Sequence, residues 1–115
     1  MRWKTGLSVV ALMVATGCGS IRSDHVVTGI PRASSHGRVH VVMENAPEPP
    51  NFEEIGIVRA QGYGNQANLE AVLGLLQTEA SGIGANAVIR VRIDQGSGAI
   101  AAIGTAVYVN GMLSE

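Results

Sequence analysis

Three observations predict an α+β fold: a two-layer β-β-α-β-β domain in which one helix packs on a mostly antiparallel sheet. Apolar residues recur at helical spacing from Leu69 onward. Segments with two-residue alternation lie on both sides of that helix. Glycines and prolines separate these segments, as expected for turns and connections. At 115 residues, the chain has room for one small domain.

Residues 1–17 have the features of a signal peptide: a basic start, a short apolar run and a small-residue cleavage site. The run is too short to span a bilayer as a stable helix. The residues Ala15-Thr16-Gly17-Cys18 resemble the lipobox of bacterial lipoproteins, although its first residue is usually Leu. The resemblance implies that Cys18, the only cysteine, receives a diacylglyceryl group. The alternative is ordinary secretion with Cys18 as an unpaired thiol.

The residue after Cys18 is Gly19. Lipoproteins with Asp at that position stay in the inner membrane, so the resemblance implies the outer membrane, with the domain facing the periplasm. Without residues 1–17, six arginines stand against nine acidic residues, which gives a net charge of −3. This balance argues against nucleic-acid partners and against anionic lipid as the anchor. We therefore expect the membrane to be a partner through acyl chains alone.

We expect residues 18–37 to be the lipidated cysteine and a flexible tether, because they are polar, mixed in charge and without a sustained period. At most, Val26 and Val27 would pair as a short strand at one edge of the sheet. The folded domain is then predicted to span 38–115. Its first strand is expected at 38–44, before a proline-rich connection.

A second strand is predicted at 53–61, and a glycine turn at 62–65 leads into the helix. Asn68 or Asn65 can cap its start, and Gly82 and Gly84 can supply the left-handed positions that end it. The helix is expected to bury one apolar face. The members of this face are Leu69, Val72, Leu73, Leu76, Ala80 and Ile83.

Two more strands are predicted after the helix, at 86–94 and 100–110, joined by a hairpin loop at 95–98. In the first of them, Ala87, Ile89, Val91 and Ile93 should lie under the helix, with Arg90 and Arg92 on the other face.

A resemblance to a known family lies in this half of the chain. The residues that carry it are Ile57-Val58-Arg59-Ala60-Gln61-Gly62, Glu79-Ala80, Gly84-Ala85-Asn86-Ala87-Val88-Ile89-Arg90-Val91 and Gly104-Thr105-Ala106-Val107. Together they resemble the YbjQ-type small domains, and they are similar to the envelope-stress sensor lipoprotein of the Rcs phosphorelay. The resemblance covers roughly residues 52 to 109. It implies one helix on an antiparallel or mixed sheet, and assembly into a homo-oligomeric ring.

The chain departs from these relatives in two ways. The Rcs sensor is stabilised by disulfides, and this chain has no cysteines that could form them, since its only cysteine is the expected lipid attachment site. YbjQ-type proteins are often labelled heavy-metal binders, but His25, His36 and His40 are scattered over the expected tether and first strand, and the sequence shows no cluster of metal ligands. We therefore predict no metal site, and no cofactor. No serine, histidine or carboxylate stands in a catalytic pattern, so the sequence predicts that the protein is not an enzyme.

Two features are candidates for interaction. Arg59, Arg90 and Arg92 on neighbouring strands could form a guanidinium patch for carboxylates or phosphates, or could pair with acidic residues (Glu53, Glu54 or Asp94) on the outer sheet face. The second feature is the apolar run containing Ile100, Ala102 and Ile103. If it is an exposed edge, it invites pairing with another chain; otherwise it is buried under the tether.

The sequence thus predicts a non-enzymatic envelope lipoprotein, a membrane-tethered module for protein interaction or self-assembly. Its partner would be a second copy or another envelope protein. The alternative is a binding module for a small anionic or cell-wall ligand that uses Arg90, Arg92 and the glycine turn.

Overall fold

A computed structural model describes residues 19–34 and 37–110 of the chain. In these residues one helix covers one face of a five-stranded sheet, which confirms the predicted two-layer α+β fold. The elements are β1 (Gly19–Val27), β2 (His40–Met43), β3 (Phe52–Gly64), α1 (Leu69–Gly82), β4 (Ala87–Gly96) and β5 (Ala99–Val109). The strand order is β1-β3-β5-β4-β2, antiparallel throughout except for the β4–β2 pair.

Helix α1 begins and ends at residues suited to these positions. The side chain of Asn68 accepts a hydrogen bond of 2.8 Å from the backbone N–H of Ala71, which confirms it as the N-cap. At the other end, Gly84 adopts a φ of 88°, and Gly82 is an ordinary helical residue. A Cβ on Gly84 would also collide with the backbone of Arg32, so this position requires glycine for two reasons.

The buried face of α1 matches the prediction except at its start. Val72, Leu76 and Ala80 are fully buried against the sheet, but 43% of Leu69 is exposed. The prediction for Leu69 was wrong because helical side chains lean toward the N-terminus. The side chain of the first helical residue therefore points beyond the helix end.

Strand β4 contains a bulge that changes which residues face the helix. Arg90 has a φ of 57°, and the pairing with β5 shifts between Ile89 and Arg92. One extra residue in a strand moves all later side chains to the other face. As a result, Val88 and Val91 pack in the core under α1, whereas Ile89 belongs to a separate apolar cluster. The predicted unbroken alternation from Ala87 to Ile93 was wrong at this point.

The segment expected to be a flexible tether begins with a strand. Residues 19–27 pair along their whole length with β3, from Gly19 opposite Gly64 to Val27 opposite Gly56. This corrects the expectation of a coil for these residues and extends the folded part to Gly19. The strand lies close because Gly56 has no side chain: a Cβ there would be 2.5 Å from the carbonyl oxygen of Val26. The weak edge pairing considered for Val26 and Val27 is part of this longer ladder.

Strand β5 lies in the interior of the sheet, between β3 and β4. Ile100 and Ala102 face the helix and are 3% and 1% exposed. The apolar run is therefore neither an exposed edge nor covered by a tether. At Ile100 and Ala102 the hydrophobicity of the run reflects burial under α1, as expected for the inner face of a central strand, whereas Ile103 is 38% exposed.

Candidate interaction surface

The sheet face opposite α1, which we call the outer face, has no helix packed on it in the described residues. Its central row crosses four strands, because Asp24 lies opposite Arg59, Arg59 opposite Ile103, and Ile103 opposite Arg92. The structure thus brings together three of the predicted interaction residues, Arg59, Arg92 and Ile103. Asp24, which the sequence analysis had assigned to the tether, completes the row.

Arg59 forms a bidentate ion pair with Asp24. Its Nη2 and Nε donate to the two carboxylate oxygens over 2.7 and 3.2 Å. These hydrogen bonds lower the pKa of Asp24 and raise the pKa of Arg59, since both favour the charged forms. Half of the Arg59 side chain remains exposed, so the pair is a surface feature.

Arg90 is also paired, with Glu48 from the proline-rich connection. Its Nε and Nη2 donate to the Glu48 carboxylate over 2.7 and 3.1 Å, which raises the pKa of Arg90. The guanidinium lies 6.0 Å from the centre of the Phe52 ring. Phe52 packs against a small apolar cluster on the outer face: Ala87, Ile89, Val107 and Val109. Through its ion pair with Glu48, Arg90 therefore fixes the proline-rich connection between β2 and β3 over this end of the sheet.

Arg92 differs from the other two arginines. Its side chain is exposed, and the described part of the chain supplies that side chain with neither an ion pair nor a hydrogen bond. The three arginines do not form one free guanidinium patch, because Asp24 and Glu48 neutralise two of them. Pairing with acidic residues was the alternative that the sequence offered, but its predicted partners were Glu53, Glu54 and Asp94.

Apolar side chains are exposed beside this row. Val26 on β1 lies opposite Ile57 on β3, and they are 65% and 40% exposed. Ile103 on the next strand is 38% exposed. With Arg59 and other residues, the three line a shallow cavity of about 220 Å³. We call Val26, Ile57 and Ile103 the outer-face patch.

The predicted site residues are therefore divided between core and surface. Ile100 and Ala102 are structural core residues and are unavailable to a partner. Cys18 lies outside the described residues. The predicted site residues did not include Asp24, Val26 and Ile57. The signal for the first two was the alternation of Ile21, Ser23, His25 and Val27 with Ser20, Arg22, Asp24 and Val26. That pattern is weak because polar residues occur on both faces of the strand.

Strand β1 is fastened to the helix by one carboxylate. Glu79 of α1 accepts hydrogen bonds from Ser23 Oγ and His25 Nδ1, both at 2.5 Å. The bond to His25, and next the bond to Ser23, lower the pKa of Glu79. Successive side chains of a strand point to opposite faces of the sheet. Because Ser23 and His25 point toward the helix, their neighbours Arg22 and Asp24 point to the outer face.

Comparison with known families agrees with this fold. A family model named YbjQ_1, described as "Putative heavy-metal-binding", matches residues 58–110. Residues 58–110 are thus similar to the YbjQ-type small domains. The match runs from β3 through α1 to the end of β5, and it leaves out β1 and β2. The comparisons with curated proteins and with solved structures give no match.

The family description raises the question of a metal site. Heavy metals such as zinc take three or four converging nitrogen, sulfur or carboxylate ligands. In residues 19–34 and 37–110, no three His, Cys, Asp or Glu side chains come together in this way. His25 and Glu79 are the nearest approach, and they supply one nitrogen and one carboxylate that already bind each other. The described residues therefore do not fit such a metal.

The described residues include no helix with the length and apolar character needed to cross a bilayer.

Proposed function

We propose that this protein is a non-enzymatic lipoprotein of the outer membrane that binds another protein through the open edge of its sheet on the periplasmic side. The observation that carries the proposal is β1, a nine-residue strand at one edge of the sheet. Eight of its nine residues are exposed and only Ser23 is half-buried. Such an edge presents a row of backbone donors and acceptors to a partner strand.

The position of β1 supports the anchored arrangement. The strand begins at Gly19, the residue that directly follows the expected lipid attachment site Cys18. A single residue spans at most about 3.6 Å, so a lipidated Cys18 would hold the domain against the membrane surface. A flexible tether would have allowed a reach of nanometres. The partner must then also lie at, or close to, that surface.

The alternative, a module for a small anion or cell-wall fragment, has one supporting observation. Arg92 has no partner among the described residues and lies beside the apolar Ile103. However, Arg59 and Arg90 would have to leave Asp24 and Glu48 to join it in binding a ligand. The open edge requires no such rearrangement, and we therefore favour protein binding.

The anchor is tested with the full chain expressed in a bacterial host. We expect labelling by a palmitate analogue and recovery in the outer-membrane fraction, both lost in Cys18→Ala. A parent chain without label would contradict the lipoprotein assignment. The purified protein should not hydrolyse envelope substrates, and hydrolysis would contradict the non-enzymatic assignment.

The binding edge is tested in the same cells by replacing Arg22 with a photo-crosslinking residue. The matched control carries the crosslinker at Thr78, which is exposed on α1. We expect a discrete crosslinked product from position 22 and none from position 78. Crosslinking at neither position, or at both alike, would contradict the assignment of β1 as the binding edge.

A further inference from the structure

The partner of the open edge can be specified from β1 itself. Within the described residues, β1 pairs with β3 only, so its other side is free along all nine residues. The opposite edge of the sheet, β2, has four residues. An edge of nine residues is matched in length by another β1 and not by β2.

We propose that a second copy of this chain binds β1 to β1 in antiparallel orientation, with a two-fold axis at Ser23. This rests on the proposed function and names its partner. Ser23 is the middle residue of the strand, so an axis there pairs β1 over its whole length. The two sheets then form one continuous sheet with both helices on the same side, and the interface is isologous.

The charges on β1 complement each other in this register. Residues equally distant from the axis face each other, so Arg22 of each copy lies opposite Asp24 of the other. Both side chains point to the outer face, as the Asp24–Arg59 pair and the alternation along β1 show. Directly opposite residues of an antiparallel pair lie close enough for an ion pair. The interface therefore contains two symmetric Arg–Asp pairs.

The groups needed for these pairs are available. The Arg22 side chain has no ion pair or hydrogen bond with the described residues of its own chain. Asp24 uses both carboxylate oxygens on Arg59, but each oxygen can accept a second hydrogen bond.

Neighbouring registers are disfavoured by the same charges. An axis at Arg22 would put two arginines opposite each other, and an axis at Asp24 would do the same with two aspartates. Like charges directly opposite each other are destabilising. Among the axes near the middle of the strand, Ser23 alone combines full-length pairing with opposite charges.

The exposed apolar residues of β1 also lie against the second strand in the β1–β1 dimer. Val26, 65% exposed, lies opposite Ser20 of the other copy, and Val27, 43% exposed, lies opposite Gly19. On the helix side, Ile21 lies opposite His25, which Glu79 already holds in place. The side chains opposite these valines are small, so the second strand can approach without a collision.

The test uses the full chain purified in detergent, with its mass measured by light scattering after subtraction of the detergent. We expect a dimer. Arg22→Glu alone and Asp24→Arg alone should each weaken the dimer at least ~10-fold, since each places like charges opposite one another. An equimolar mixture of these two variants should restore it, because the mixed pair has opposite charges at both contacts. Circular dichroism checks that both variants remain folded.

The register is tested separately in a Cys18→Ser background with a short thiol crosslinker. Ser23→Cys should crosslink to its own copy, because only a residue on the axis faces itself. The matched control Ser20→Cys should not, since the two residues would lie roughly 20 Å apart. A parent monomer, a larger ring, or variants that dimerise as well as the parent would overturn the proposal. If the parent is monomeric but position 22 crosslinks another envelope protein in cells, the proposed function stands and this inference fails.

Discussion

The side-chain amide of Asn86 makes both hydrogen bonds that a neighbouring strand would make to the backbone of Val109. Its Oδ1 accepts from the Val109 N–H at 2.7 Å, and its Nδ2 donates to the Val109 carbonyl at 3.0 Å. Asn86 lies just before β4, and Val109 is the last residue of β5. The amide therefore extends the β4–β5 ladder beyond Ala87, the first residue of β4. This gives a structural role to the Asn of the Gly84-Ala85-Asn86-Ala87-Val88 segment.

Replacing Asn86 with Ala should destabilise the domain by about 1–3 kcal/mol, because a backbone donor and acceptor at the buried Val109 lose their partners. The free energy of unfolding is measured by urea titration. Asn110→Ala is the matched control, since Asn110 is exposed and, within the described residues, only its backbone N–H forms a hydrogen bond, which it donates to the carbonyl of Asn51. It should change stability by less than about 0.5 kcal/mol. Equal effects of the two substitutions would contradict this role.

Gly104 on β5 is required by the bulge in β4. A Cβ at this position would lie 2.6 Å from Cγ1 of Val88 and 2.9 Å from Cγ2 of Val91, the two valines on either side of the bulge that face the helix. We expect Gly104→Ala to cost about 1–3 kcal/mol by overpacking the core.

The control for Gly104 is Gly74, an exposed position in α1 where a Cβ would meet nothing within 4 Å. Gly74→Ala should stabilise the protein by about 0.5–1 kcal/mol through higher helix propensity. Thermal unfolding of both variants checks the opposite signs. A neutral or stabilising Gly104→Ala would show that the valines can move apart freely.

The fold class was predictable because α1, β3, β4 and β5 each carry a clear apolar period. Which residues of β4 face the helix could not be predicted, because the bulge at Arg90 depends on a positive φ. A sequence pattern does not reveal a positive φ at an arginine. Strand β1 was missed for a different reason. It is an edge strand with polar residues on both faces, and its order comes from β3 and from Glu79 rather than from its own composition.

The arginine ion pairs show the same limit. Arg59 and Arg90 were identified as surface arginines, but their partners Asp24 and Glu48 lie 35 and 42 residues away in the chain. Such partners follow from sheet order and from the path of the proline-rich connection. Ile100 and Ala102 were misplaced because an apolar run alone does not distinguish an interface from a central strand.

Acid should weaken the attachment of β1 to α1 through Glu79. Because hydrogen bonds lower the pKa of this carboxyl in the folded protein, the unfolded chain binds the proton more readily. The stabilisation is complete above the ordinary pKa of a glutamate, and it is lost as the pH falls through the lowered pKa of Glu79.

Glu79→Gln should therefore reduce stability at neutral pH and flatten its decline in acid. The free energy of unfolding is compared for parent and variant between about pH 6 and about pH 3. Glu44→Gln serves as the control, because Glu44 lies on an exposed turn with no side-chain partner in the described residues. Parallel acid profiles of the parent and Glu79→Gln would contradict the role of Glu79.

Leu69 and Leu76, both on the predicted apolar face of α1, should differ sharply in their contribution to stability. Leu76 is fully buried in the core, so Leu76→Ala leaves a cavity and should cost about 2–5 kcal/mol. Leu69 is 43% exposed at the helix start, and Leu69→Ala should cost less than about 1 kcal/mol. The substitution is chemically identical in both cases, so the comparison by urea unfolding isolates burial. A large loss at Leu69 would mean that its side chain packs against the sheet as the helical period predicts, or that a second molecule covers the helix start.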